Sequence, residues 1–110
     1  MISRQWRGLA RVEHAEDYVR HLREETFVKL SSIPGFVKAS ILRREERGCV
    51  EFLIVTYWQS MEAIMQFAGS NPEMAVVPDK VKAMMLEFDR VVRHYEVINE
   101  VTSNQEKNSI

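Results

Sequence analysis

The spacing of apolar residues changes character along the chain, and each change predicts an element. From Ile2 to Val12, Trp6, Leu9 and Val12 stand among arginines and Gln5 in a loose alternation. That predicts a strand, with Gly8 allowing a bulge or a close backbone approach. From Glu13 to Ser32 the period lengthens. Ala15, Tyr18, Val19, Leu22, Thr26, Leu30 and Ile33 recur at helical spacing, while Glu16, Arg20, Arg23, Glu24 and Lys29 can take the solvent side. Ser31, Ser32, Pro34 and Gly35 end that helix.

Phe36 to Arg44 reads as a second strand, and Glu45-Glu46-Arg47-Gly48 as a polar hairpin tip. Cys49 to Trp58 is the strongest strand pattern, β-branched and aromatic and nearly all apolar. A strand apolar on both sides is covered on both sides. Helices can cover one face, so a second copy of the chain is the expected cover for the other. Ser60 is the expected N-cap of a short helix carrying Ile64, Phe67 and Ala68 and closed by Gly69. Asn71-Pro72 looks like a second cap, with proline at the first helical position. After Pro78, residues Asp79 to Leu86 can form another turn or two with Val81, Met84 and Met85 inward. Phe88 to Ile98 is the expected last strand, and 99–110 a polar tail without pattern. The order βαββαβ predicts an α+β, ferredoxin-like subunit with a four-stranded antiparallel sheet, spanning residues 1–98 as one domain.

Composition narrows the functional classes. The chain has 110 residues, 28% of them charged, and a net charge of -1. No basic field exists to attract a phosphate backbone, so neither nucleic acid nor an anionic membrane surface is an expected partner. The single cysteine, Cys49, allows no internal disulfide and no cysteine metal cluster, which fits a cytoplasmic setting. The first residues, MISRQWRGLARV, hold no apolar stretch long enough for a signal peptide. The longest uncharged apolar run, Phe52 to Val55, is far short of a membrane span.

Several segments resemble the antibiotic biosynthesis monooxygenase type of domain, within the dimeric α+β barrel superfamily. They are Trp6-Arg7-Gly8, Ile33-Pro34-Gly35-Phe36, Val55-Thr56-Tyr57-Trp58-Gln59-Ser60 with Glu62-Ala63, and Phe88-Asp89 with His94-Tyr95-Glu96-Val97. The resemblance implies a homodimer of ferredoxin-like subunits joined by their bare sheet faces, each with its own pocket between sheet and helices. Known members include cofactor-free oxygenases of aromatic polyketides and haem-degrading enzymes, and fold alone does not choose between them. The haem-degrading branch uses an Asn, a Trp and an iron-ligating His. Here those positions fall at Gln5-Trp6, near Phe67 and near Val76-Val77, and no histidine lies between His21 and His94. Met74 is the sole potential donor in that segment, so haem degradation is not expected.

The candidate chemistry is therefore carried by a few side chains, each with a plainer alternative. His94 on the last strand can act as a base toward an acidic phenol or enol, with Trp6 of the first strand against the ring. Alternatively, Trp6 is core and His94 a satisfied edge residue. Tyr57 and Tyr95, which alternate in face with Trp58 and His94, can each offer a phenol donor or be a core ring with its hydroxyl at the rim, and Trp58 is a further candidate for the pocket wall. The methionines around the second helix, Met61, Met65, Met74, Met84 and Met85, can form a deformable wall over an apolar ligand or be plain core, and Phe67, near the family's Trp position, is a further candidate for the wall. His14 and His21, seven apart with Asp17 between, can bind a metal or lie on a solvated helix face, the latter being the expectation. No metal site and no cofactor are expected. The function these residues suggest is that of a cofactor-independent monooxygenase acting on a small aromatic or quinol-like compound. The alternative is a non-catalytic dimeric barrel that binds a small apolar or aromatic ligand.

Overall fold

In the computed structural model of the chain, residues 1–103 are described, and the part of the polar tail beyond them lies outside the described residues. Strand β1 (Ile2–Arg11) leads through a single 3-10 turn into α1 (Ala15–His21). A π-helical turn over Leu22–Thr26 joins α1 to α2 (Phe27–Ser31), so the predicted first helix is one continuous rod of mixed pitch. The hairpin β2 (Phe36–Glu46) and β3 (Cys49–Trp58) follows, then α3 (Met61–Ala68), α4 (Asp79–Met84), β4 (Met85–Phe88) and β5 (Arg93–Glu96). The fold is α+β and ferredoxin-like. Its antiparallel sheet runs β2-β3-β1-β4, and β5 pairs with β1 beyond β4.

The last strand differs from the expectation. It is split, with β4 pairing Gly8 to Ala10 and β5 pairing Ile2 to Gln5 on the same edge of β1. The Asp89 N–H still donates to the Arg7 carbonyl of β1 at 2.9 Å, but residues 90–92 leave the edge, where another segment claims their backbone. The Ala75 N–H donates to the Arg90 carbonyl at 2.9 Å and the Val92 N–H to the Glu73 carbonyl at 2.8 Å. That same segment corrects the reading of Asn71-Pro72 as a helix cap: residues 71–74 form a turn closed by the Met74 N–H on the Asn71 carbonyl, 3.1 Å. The Ser60 cap forms as the sequence predicts, its Oγ accepting from the Ala63 N–H at 3.2 Å.

Strand alternation sorts the sheet into two faces. Trp6 and Ala10 of β1 and Val50, Phe52 and Ile54 of β3 turn toward the helices, where Ala15, Tyr18 and Leu22 bury them. Trp58 packs with Leu30, Ala63 and Ile64 in a second cluster toward the other end. Ser3, Gln5, Arg7 and Leu9, in register with Tyr57, Val55, Leu53 and Glu51, occupy the face without helices. Gly8 is glycine because Trp6 lies over it. A Cβ there would stand 2.5 Å from the indole Cη2. Gly35, at φ 95°, lets the turn after α2 pass so close to α3 that an added Cβ would fall 2.7 Å from that of Ala63.

Candidate functional site

Between the helix-covered sheet face and the first helical rod lies a cavity of about 60 Å³. At ~10–15 Å³ for each water centre this holds a handful of waters, and it is well under the ~150 Å³ that accepts a benzene ring. β1 contributes Arg4 and Trp6, and β3 contributes Ile54 and Thr56. The rod contributes Tyr18, His21, Leu22, Thr26, Phe27 and Leu30. Phe67 of α3 and the 76–78 segment close the remaining side. The walls are aromatic and aliphatic, with polar side chains set among them.

The π turn explains one polar group. Its hydrogen bonds run five residues back, as from the Phe27 N–H to the Leu22 carbonyl, which widens the turn and brings residue i+5 round over residue i. Thr26 thereby meets His21, with Oγ1 at 3.2 Å from Nε2. The other ring nitrogen, Nδ1, stands 3.3 Å from a carboxylate oxygen of Glu25. Lys80 of α4 also hydrogen-bonds Glu25, and first through that bond holds its carboxyl below the usual range. The result is a chain Glu25–His21–Thr26 whose inner end borders the cavity. His21 is only 7% exposed, so its assignment to a solvated helix face is corrected. Only His14 follows that expectation, on the surface with Asp17 at 3.2 Å. Among the described residues no cluster of His, Cys, Asp and Glu is placed to hold a metal.

Arg4 is the second polar group, 7% exposed. Its Nη2 donates to the carbonyls of Met74 at 3.1 Å and Pro72 at 3.4 Å, while its Nε is buried without a partner. Its guanidinium carbon lies 5.6 Å from the Phe67 ring centre. Burial lowers its pKa to about 10, so it stays charged at neutral pH. Thr56 is the third, accepting from the Trp58 indole N–H at 2.8 Å. Burial pushes the Tyr18 phenol up, so that hydroxyl stays protonated.

The sequence-predicted site residues divide sharply. Trp6 and Phe67 line the cavity, and the Trp6 N–H donates to the Asp89 carbonyl at 2.8 Å. Trp58 shares their sheet face but is 0% exposed and lies in the solid second cluster. Met84 packs against the first cluster without reaching the cavity wall. Tyr57 and Tyr95 are in register with Ser3 on the opposite face, so neither phenol serves the cavity. His94 is opposite Arg4 in the β1–β5 ladder, on the correct face, but does not line the cavity. Its Nε2 is buried without a partner, and burial, then the Arg4 charge, hold its imidazole below the usual range. The polar groups sequence reasoning missed had a signal. Arg4 stands two before Trp6, Thr56 is between Ile54 and Trp58 at strand period, and His21 falls three after Tyr18 inside the apolar stripe.

Residues 9–83 match the family model for antibiotic biosynthesis monooxygenase, more than half of the chain. The protein belongs to that family. No curated protein matches it. Among solved structures it is similar to SnoaB, a cofactor-independent oxygenase from Streptomyces nogalater, at TM-score 0.66 and 11% identity over 93% of this chain and 97% of that one. It is also similar to MhuD, a heme-degrader from Mycobacterium tuberculosis with two hemes in its active site, at TM-score 0.60 and 16% identity over 91% and 99%. A dimeric ferredoxin-like protein from an uncultured marine organism matches at TM-score 0.60 and 14% identity, covering 93% and 91%. At these identities the likeness is one of fold. No helix among the described residues is long and apolar enough to cross a membrane.

Proposed function

We propose that the chain is a cofactor-independent monooxygenase acting on a small aromatic compound with an acidic C–H or O–H, such as an anthrone or quinol. The observation that carries this reading is the Glu25–His21–Thr26 chain ending in an aromatic-walled cavity. With Nδ1–H donating to Glu25, the His21 Nε2 is left as the acceptor, and Thr26 can relay to it a proton taken from the substrate. Arg4 at the wall favours the anion that remains. The anion then supplies the electrons. For an anthrone, a CH2 and O2 become C=O and H2O: one oxygen atom stays on carbon and the other leaves as water. His94 stands behind Arg4 and, kept neutral, adds no second positive charge there. The wall must open for any ring to enter, and Val76, Val77 and Pro78, between the Met74–Val91 bridge and α4, are the part of it free of sheet and helix.

Oxygen uptake against anthrones, naphthols and quinols tests this. Uptake with at least one class, lowered about 10²-fold in His21→Gln, is expected. Absence of uptake across the panel, or full activity in His21→Gln, overturns it. The reading of a non-catalytic binder has one observation in its favour, the small and largely apolar cavity. It would give a retained ligand in native mass spectrometry and no oxygen uptake. Haem degradation draws no support from the site, because the one imidazole at the cavity has both nitrogens engaged.

We further propose that two subunits associate through the helix-free sheet face. Leu9, Leu53, Val55 and Tyr57 lie there, with Leu42 half exposed at 50%. Light scattering should give a dimer at micromolar concentration, and Leu53→Lys a monomer or aggregate. A stable wild-type monomer rules the dimer out.

A further inference from the structure

A buried charge without a counter-charge is costly, and in native proteins it is paired. Arg4 breaks that rule. It is 93% removed from solvent by its 7% exposure, yet no carboxylate among the described residues stands near enough to offset the burial. Backbone carbonyls satisfy Nη2 alone, and the neighbouring Nε–H is buried with nothing to donate to. His94, whose imidazole the Arg4 charge helps hold toward neutrality, supplies no negative charge. A second copy packed on the helix-free sheet face would be on the other side of the sheet from this guanidinium. The missing partner therefore belongs to the cavity.

We propose that the ligand of this cavity is an aromatic acid, whose carboxylate seats on the Arg4 guanidinium while its ring lies against Trp6 and Phe67. The planar fork of arginine matches a carboxylate in two parallel hydrogen bonds, which an unpaired Nε beside Nη2 is ready to make. Neither carbonyl now on Nη2 is a match for such a pair, and the one from Pro72 is long at 3.4 Å. Both carbonyls belong to the loop that leads into the 76–78 wall. A carboxylate competing for Nη2 thus loosens the segment that must move for a ring to fit. This rests on the cavity being the ligand site, as the proposed function does, but not on any reaction taking place there.

The experiment is calorimetric titration of the full-length chain under nitrogen with salicylate, gentisate and naphthoate, each against its own primary amide. Ring and shape are then constant and only the charge changes. At least one acid should bind about tenfold or more tightly than its amide, equivalent to ~1.4 kcal/mol. Arg4→Met should abolish that preference, and Arg4→Lys, which keeps the charge but not the fork, should retain part of it. Thermal unfolding of each variant confirms that the fold is kept. Failure of every acid to bind, equal binding of acid and amide, or a preference that survives in Arg4→Met overturns the proposal. Oxygen uptake by the same compounds in air is read separately. An acid that binds through Arg4 without uptake counts against the oxygenase and leaves the carboxylate site standing.

Discussion

Two tryptophans on one face of one sheet have opposite surroundings. Trp58 is enclosed by Leu30, Ala63 and Ile64, with Phe36 edge-on at 5.3 Å and Phe67 stacked at 6.3 Å. Trp6 touches Tyr18 and Phe88 at 6.0 and 6.4 Å, and its remaining surface borders the cavity. Both indole N–H groups are satisfied at 2.8 Å, so hydrogen bonding does not separate them. The difference comes from what covers them. The end of the sheet near Trp58 is closed by α3 and α2 side chains that interdigitate. The end near Trp6 is covered by a rod whose π turn widens it and by a loop without regular structure. Phe67 stands at the division, packed on Trp58 and lining the cavity. Equal residue types at equal strand phase thus become core at one end and a binding wall at the other.

The most direct way to break this comparison is to truncate both rings. Trp58→Ala should cost about 3–5 kcal/mol, because a large side chain leaves a closed cluster and Thr56 loses its donor. Trp6→Ala should cost at least ~1 kcal/mol less, since part of that ring already faces empty space. Urea unfolding of the two variants measures both. Equal losses would show that the Trp6 end is as tightly packed as the other. A smaller effect is expected at the backbone beneath Trp6. Gly8→Ala puts a Cβ against the indole Cη2 at 2.5 Å and the Met85 Sδ at 3.1 Å. The ring must shift, at about 1–3 kcal/mol, and ligand binding should weaken with it. Stability and affinity left unchanged would show that the ring is already loose.

The fold was legible in the sequence because period-2 and helical spacing survive in strands and helices that pack on one face. β1 and the Ser60 cap stand where their residues predict, and the β2–β3 hairpin does so with a tighter tip, Glu45 and Glu46 pairing with Val50 and Cys49 instead of joining the turn. The last strand was not legible as two pieces, because nothing in Phe88 to Ile98 records that residues 73–75 take its middle backbone. The site was half legible. Trp6 follows from phase, and Phe67 entered through a family position rather than from physics. His21 stood inside the apolar stripe, three after Tyr18, so its burial was legible, but the π turn that brings Thr26 to one of its ring nitrogens was not. Tyr57 and Tyr95 fell on the wrong face because phase fixes which residues share a face, not which face the helices cover.

The polar half of the contrast predicts a variant that separates stability from binding. Arg4→Met removes a buried charge that has no counter-charge among the described residues, replacing it with an apolar chain of similar length. It also leaves the Pro72 and Met74 carbonyls without their donor. These effects oppose, so thermal unfolding should shift by no more than about 1 kcal/mol in either direction. A loss of ~3 kcal/mol or more would show that the carbonyl bonds, not an absent ligand, are what Arg4 is buried for.

The smallest effect expected is a pH dependence confined to the cavity end. Trp58 packs among apolar side chains, whereas His94 sits beside Arg4 with a buried Nε2 that has no partner among the described residues. Burial, and then the Arg4 charge, depress its folded pKa below the 6.5 of the unfolded chain, while Glu73 opposes them. Between those two pKa values the unfolded state binds more protons, so stability rises with pH across that window. Above about pH 6.5 the full stability is present, and it is lost as pH falls through the folded pKa. Glu25 and Glu51 are also depressed, but from 4.5, so their losses begin at lower pH. Thermal unfolding from about pH 7.5 down to about pH 5 should therefore decline more in the wild type than in His94→Gln. In Arg4→Met the decline should shrink, because one of the two causes of the depressed pKa is gone. Identical slopes in wild type and His94→Gln would mean that His94 titrates as freely as in the unfolded chain, and that the cavity end, like the Trp58 end, carries no proton-linked strain.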